Sequence, residues 1–300
     1  MNKHILRPYL QPEPDLVALA QTMKVPAPDG NGAQNDENKK NTGTSPLILP
    51  QPDFEPGKPE SYILLPAGQY GREGYPDLYI GMKRVSLDAR LEKALQTKGI
   101  QLSKKGNEAP RNNTQGFLGY INHQEALQIN NALGGFTPSL LLSKEFLSLL
   151  EAGISQGKEI HNGAGSKIQI PTLEAIYKDI TEVRSPWRSE WYGTRFHGSN
   201  INYCTVTPKG VLQDVTRPLG NAHLTQQKTP GIDFKYWLKN ATSHGLPLSH
   251  CPDGALYYWP PGNDTVAGFG ADSGGAVLNC DGDPTYSDSS LGVREARAKI

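Results

Sequence analysis

Asp272, Ser273, Gly274 and Gly275 read DSGG near the end of the chain, a setting in which a serine hydroxyl can act as a nucleophile. Acyl transfer by such a serine needs a base to take its proton, a carboxylate to orient that base, and donors for the oxyanion. The tetrapeptide supplies neither the base nor its orienter. Histidines that could serve are His197, His223, His244 and His250.

Metal chemistry is no better supported. His244, His250 and Cys251 are close in sequence, but no HExxH and no i, i+4 histidine pair occurs, and histidines in loops account for them. Asn263, Asp264 and Thr265, and the acids Asp281, Asp283 and Asp288, could meet calcium, yet the loop spacing and closing glutamate of an EF-hand are absent. No cofactor is expected. The DSGG tetrapeptide is similar to that around the nucleophile of trypsin-like serine proteases, but those chains place histidine and aspartate earlier, on two β-barrels. Here helices precede the motif and too little chain follows it, so Ser273 is not read as catalytic.

Composition narrows the classes further. Thirty basic side chains balance thirty acidic ones, and without a long like-charge run neither nucleic acid nor a membrane surface is the expected partner. Three cysteines, Cys204, Cys251 and Cys280, cannot complete a disulfide framework and include no CxxC pair. The start lacks the apolar core of a signal peptide, and no apolar run is long enough to insert in a membrane. A soluble protein, cytoplasmic or virion-associated, is the expectation.

The elements that must position any site follow from local pattern. Residues 1–60 read as an N-terminal arm and disordered linker, rich in Pro, Gly, Asn and Lys over 26–60 and unable to bury enough apolar surface to offset ordering. Residues 61–300 read as one domain. SYILLP and DLYIGMKRV are strand-like. Ser86 can cap a helix through Leu95 that Gly99 ends. Asn122 and Glu125 form a capping box ahead of a helix stopped at Gly134 and Gly135. Thr137 and Pro138 open another, ending near Gly153. TLEAIYKDITEV and DFKYWLKNA carry two more apolar stripes. Beyond residue 184 the chain is short β-like runs and turns, including SPWRSEWYG, NINYCTV and ALYYWPP. Helices followed by strands predict an α+β fold.

The tail carries two further patterns. Read with period two, Ala271, Ser273, Ala276, Leu278 and Cys280 alternate with Gly270, Asp272, Gly274, Gly275, Val277, Asn279 and Asp281, as two strands around a turn would require. Gly268 to Ser290 also contains no Lys, Glu, Gln, Met or Trp. Those five residue types are the ones that cannot be reached from an asparagine codon AAC or AAT by changing its adenines.

The stretch AGFGADSGGAVLNCDGDPTYSDSSLGVREAR resembles the C-terminal variable region of diversity-generating retroelement target proteins, particularly those of archaea and their viruses. The helices in INHQEALQINNALGG and TPSLLLSKEFLSLL, and the ending LGVREAR, are similar to the C-type lectin and formylglycine-generating-enzyme branch. The resemblance implies a C-type lectin-like fold with a variable region over about 268–290. It implies a binding protein and not an enzyme, whose ligand is a protein or cell-surface molecule. Its ligand-binding positions would be Gly270, Asp272, Gly274, Gly275, Val277, Asn279, Asp281, Gly282, Asp283, Thr285, Tyr286, Asp288 and Ser290, all on one exposed face. Tyr286, the only large aromatic among them, would be the main anchor. The alternatives are a formylglycine-type metal oxidase, whose paired cysteines this chain does not reproduce in spacing, and a structural virion or surface component.

Overall fold

In the computed structural model the chain divides into two units, Met1–Ser45 and Pro46–Ile300. The residues described are 47–48, 58–70, 73–104, 108–184, 186–207, 209–226, 228–249, 254–271 and 274–299. Most of the expected N-terminal arm, and also His250, Cys251, Asp272 and Ser273, lie outside them.

Strands β1 (Leu47–Ile48), β2 (Tyr62–Leu65), β3 (Gly68–Tyr70), β4 (Glu73–Tyr75) and β5 (Leu78–Arg84) precede helix α1 (Ala89–Lys98). Two short strands, β6 (Arg111–Asn112) and β7 (Leu118–Gly119), lead into α2 (His123–Ala132), α3 (Leu140–Gln156) and α4 (Ile170–Thr181). Then come β8 (Arg188–His197), β9 (Asn200–Val206), β10 (Val211–Pro218), β11 (Lys228–Ile232) and α5 (Phe234–Lys239). The last four strands are β12 (Leu256–Trp259), β13 (Thr265–Ala271), β14 (Ala276–Gly282) and β15 (Leu291–Ala298). The chain is therefore α+β, with five helices among the described residues and a large sheet.

Local chemistry explains where the helices begin and end. In α2 the Asn122 side chain accepts the Glu125 N–H at 2.9 Å and the Glu125 carboxylate accepts the Asn122 N–H at 3.0 Å, the expected capping box. Helix α1 is capped by Asp88, not by Ser86: its carboxylate accepts the Leu91 N–H at 2.9 Å, and its charge suits the positive end of the helix. Helix α3 is capped by Ser139, not Thr137. The Thr137 hydroxyl is buried instead, accepting from the Asn130 amide and donating to the Ala126 carbonyl. Nor does α3 stop at Gly153; it runs to Gly157, where φ is 68°. Gly153 is there for packing, since a Cβ would press into the Ile160 and Leu173 side chains.

The principal sheet has eleven strands in the order β1, β10, β9, β8, β13, β14, β12, β11, with β15 also on β8, then β5 and β2. Pairings within it are antiparallel except β12 with β14 and β8 with β15. The first half of β8 lies between β13 and β15, and its second half between β13 and β9. One apolar cluster joins α3 and α4 to the sheet through Phe146, Leu150, Ile176, Tyr192 and Phe269, the last stacked on Trp237 with centroids 6.3 Å apart. A second gathers Leu91, Ile129, Trp191, Val266 and Val293.

Between these clusters is a buried ionic network. Asp179 near the end of α4 accepts from Arg84 of β5 at 2.7 Å, and Glu190 of β8 lies 3.2 Å from Arg294 of β15 and 3.5 Å from Arg84. Arg188 donates to the main-chain oxygens of Lys178 and Asp179 in the last turn of α4, the first of which also accepts the Glu182 N–H. Burial pushes the Asp179 carboxyl up, but the guanidiniums of Arg84, Arg294, Arg188 and Arg184 outweigh it and leave it below the ordinary carboxylate value. A depressed folded-state pKa contributes stability above the unfolded value and loses it as pH falls through the folded one. The stability of Asp179→Asn should therefore fall less than that of wild type below about pH 4 while being lower at pH 7. Urea unfolding from pH 2.5 to 7 reads both limbs, and parallel curves for the two proteins would contradict the assignment.

Candidate functional site

The tail expected to carry the site forms the β13–β14 hairpin and the turn that follows. Phe269 pairs with Leu278, Gly270 with Val277 and Ala271 with Ala276, while β12 runs parallel on the other edge of β14 with Tyr257 opposite Val277. The expected inward residues Ala271, Leu278 and Cys280 are buried. Val277, expected outward, is buried as well at 3 % exposure, and so are Gly275, Gly282 and Ser290. The alternation assumed one solvated face, but β14 is an interior strand between β13 and β12, and at the consecutive residues Val277 and Leu278 both of its faces are covered. A Cβ on Gly275 would fall on the Tyr257 ring, and one on Gly282 would meet the Val266 carbonyl at 2.9 Å.

What remains accessible is a smaller set. Asp281, Asp283 and Thr285 are exposed, and Gly270, Gly274, Asn279, Tyr286 and Asp288 are half-buried. Tyr286, expected as the main anchor, is half-buried, its ring packed against the second apolar cluster. Several polar members build the turns that present them. The Asn279 side chain accepts the Asp281 N–H at 2.8 Å, Asp283 accepts the Thr285 N–H at 2.7 Å, and Asp288 accepts the Ser290 N–H at 2.8 Å. These are local side-chain turns of the kind Asx residues form. Desolvation raises the Asp281 carboxyl above its ordinary value, and the absence of a side chain on Gly262 leaves room for it.

Residues outside the tail frame this surface; His197, Asn263 and Asp264 were candidates in the sequence for other chemistry, whereas no sequence pattern pointed to Tyr120 or Arg111. The Tyr120 N–H donates to the Asp288 carbonyl at 2.9 Å, and the Arg111 guanidinium lies 4.9 Å from the Tyr120 ring. At the other flank, His197 Nδ1 is 2.5 Å from the Asp264 carboxylate, and Asn263 accepts the Gly198 N–H at 2.8 Å. Tyr120 and Asp264, both with φ of 58°, are the non-glycine residues with left-handed backbone among those described. Such conformations are strained for a side chain and collect near functional surfaces.

Other candidates are not brought together. His197 is at the opposite end of β8 from Arg188, the partner of Ala271, roughly 30 Å away at about 3.3 Å per residue. Burial lowers the pKa of His223 and His244. Cys204 on β9 and Cys280 on β14 are separated by β8 and β13, about 14 Å at the usual strand spacing, and burial pushes both thiols up. Among the described residues no group of three or more His, Cys, Asp or Glu could hold a metal ion, and no helix is long and apolar enough to cross a membrane.

Burial sorts the tail into two classes that mutation should separate. Leu278→Ala should cost about 2–5 kcal/mol and Val277→Asp at least as much, whereas Asp281→Tyr and Thr285→Ala should stay within about 0.5 kcal/mol. Chemical denaturation measures all four, and a Val277→Asp protein as stable as wild type would mean that β14 is solvated after all. At Tyr120, the glycine and alanine variants both lose the ring but only glycine accepts the left-handed backbone, so Tyr120→Gly should be about 1 kcal/mol more stable than Tyr120→Ala. No family model, curated protein or solved structure matches this chain.

Proposed function

We propose that this protein is a ligand-binding protein of C-type lectin-like fold whose C-terminal surface is diversified by an adenine-mutagenic retroelement. The observation that carries the reading is how the tail is held. Main-chain carbonyls of Cys280, Pro284, Asp288, Ser289 and Ser290 accept, in turn, the Thr265 hydroxyl, the His123 N–H, the Tyr120 N–H, the Asn113 amide and the Ser189 N–H. These anchors are on the main chain and do not depend on which side chains the exposed positions bear. That tolerance is what a diversified segment needs, and the missing Lys, Glu, Gln, Met and Trp across 268–290 are what adenine-directed mutagenesis of asparagine codons would leave out.

Within this reading the positions that meet a ligand are Asp281, Asp283 and Thr285, with Asn279, Tyr286, Asp288, Gly270 and Gly274 beside them. Gly275, Val277, Gly282 and Ser290 belong to the framework. Short acidic groups with one half-buried tyrosine make a surface suited to a basic patch on a protein or cell-surface molecule, held by charge complementarity more than by buried area. Sequencing the encoding locus tests the proposal. A near-copy of the final region with adenines at the exposed codons, beside a reverse-transcriptase gene, is the expected finding. A locus lacking both would sink it.

A further inference from the structure

A cavity of about 370 Å³ opens away from the tail, between the turn at Pro59–Ser61, the end of β5 and the first turn of α1. Its apolar lining comes from Met82, Val85, Leu91 and Leu133. Lys58, Lys83 and Arg90 bring positive charge to it. The acids there are Glu60, Asp88 and Glu295, and two of them are already engaged. Asp88 caps α1 through the Leu91 N–H, and Glu295 receives the Tyr62 hydroxyl at 2.6 Å, Arg90 at 3.1 Å and Arg297 at 2.7 Å. Arg84, which also lines the cavity, belongs to the buried network in which four guanidiniums share two carboxylates. The lining thus sets four cations, Lys58, Lys83, Arg84 and Arg90, against three acids, Glu60, Asp88 and Glu295, a formal excess of one positive charge beside a partly apolar wall.

We infer that this cavity is a binding site for a small amphiphilic carboxylate, its head near Lys83 and Arg90 and its apolar body on Met82, Leu91 and Leu133. At roughly 30 Å³ for each water-sized group, the volume holds about a dozen non-hydrogen atoms, the size of a ten-carbon fatty acid. The site uses none of the tail residues, so it stands or falls separately from the proposed function.

The test is isothermal titration with sodium decanoate, decanol and acetate at constant ionic strength and below micelle formation, on wild type, Lys83→Glu and Met82→Trp. Lys83 is exposed, so its charge reversal leaves the fold intact, which a thermal melt verifies. Decanoate should bind wild type with decanol and acetate each at least about tenfold weaker, Lys83→Glu should weaken decanoate about tenfold, and Met82→Trp should fill the cavity and remove binding. Failure of decanoate to bind wild type overturns the inference. So does equal binding by wild type and Lys83→Glu, which would mark adsorption to apolar surface elsewhere, and the Lys83 comparison decides the matter even if Met82→Trp does not fold.

Discussion

The fold depends on two carboxylates being shared among buried arginines. Asp179 and Glu190 tie α4, β5, β8 and β15 together, and each of Arg84, Arg188 and Arg294 is at most 3 % exposed. Such a network is a poor source of net stability, because desolvating several charges offsets most of their attraction. Its effect is positional. In the observed registration of the four elements Arg294 reaches both Glu190 and the Gly81 carbonyl, and Arg188 reaches the end of α4. These contacts fix β8 relative to β15 and to α4. Because β13 pairs with β8 from Ala271 back to Thr265, the hairpin inherits that position.

The tail is then attached to a platform that is already placed. Its carbonyls take hydrogen bonds from β8, from the loop around Tyr120 and from the start of α2. None of these requires a particular side chain on the tail. Where the tail enters the interior, the restriction returns. Gly268 lies against the Glu190 carbonyl and Trp191, and Gly282 against Val266 and the same tryptophan, so glycine at these points lets two backbones and a large ring meet.

Much of this was legible in the chain. The capping box at Asn122, the apolar stripes of the other four helices and the aromatic runs of β8, β9 and β12 are local signals, set by hydrogen bonds and packing within a few residues. The misplaced helix ends have one cause: Asp88 and Ser86, or Ser139 and Thr137, are equally good caps in sequence, and tertiary contacts decide between them. Thr137 was taken by Asn130. Gly153 looked like a stop because its real role, contact with Ile160 and Leu173, is with residues across a turn and on another helix. The ionic network was not legible at all, since its members come from residues 84, 179, 188, 190 and 294, and no local pattern connects them.

The candidate surface shows the same division more sharply. Period two identifies which residues of a strand share a face, but not whether that face meets water. For β14 the answer depends on what packs around it: the Tyr257 ring of β12 lies against Gly275, and Val277 is buried, so both are framework positions. Near the end of β14 and in the turn after it that cover is lost. Asp281, Asp283 and Thr285 are exposed where the strand ends and the chain crosses toward Tyr120, and there the backbone is held from one side only. Sheet topology thus leaves full exposure, among the described tail residues, to Asp281 near the end of β14 and to Asp283 and Thr285 after it.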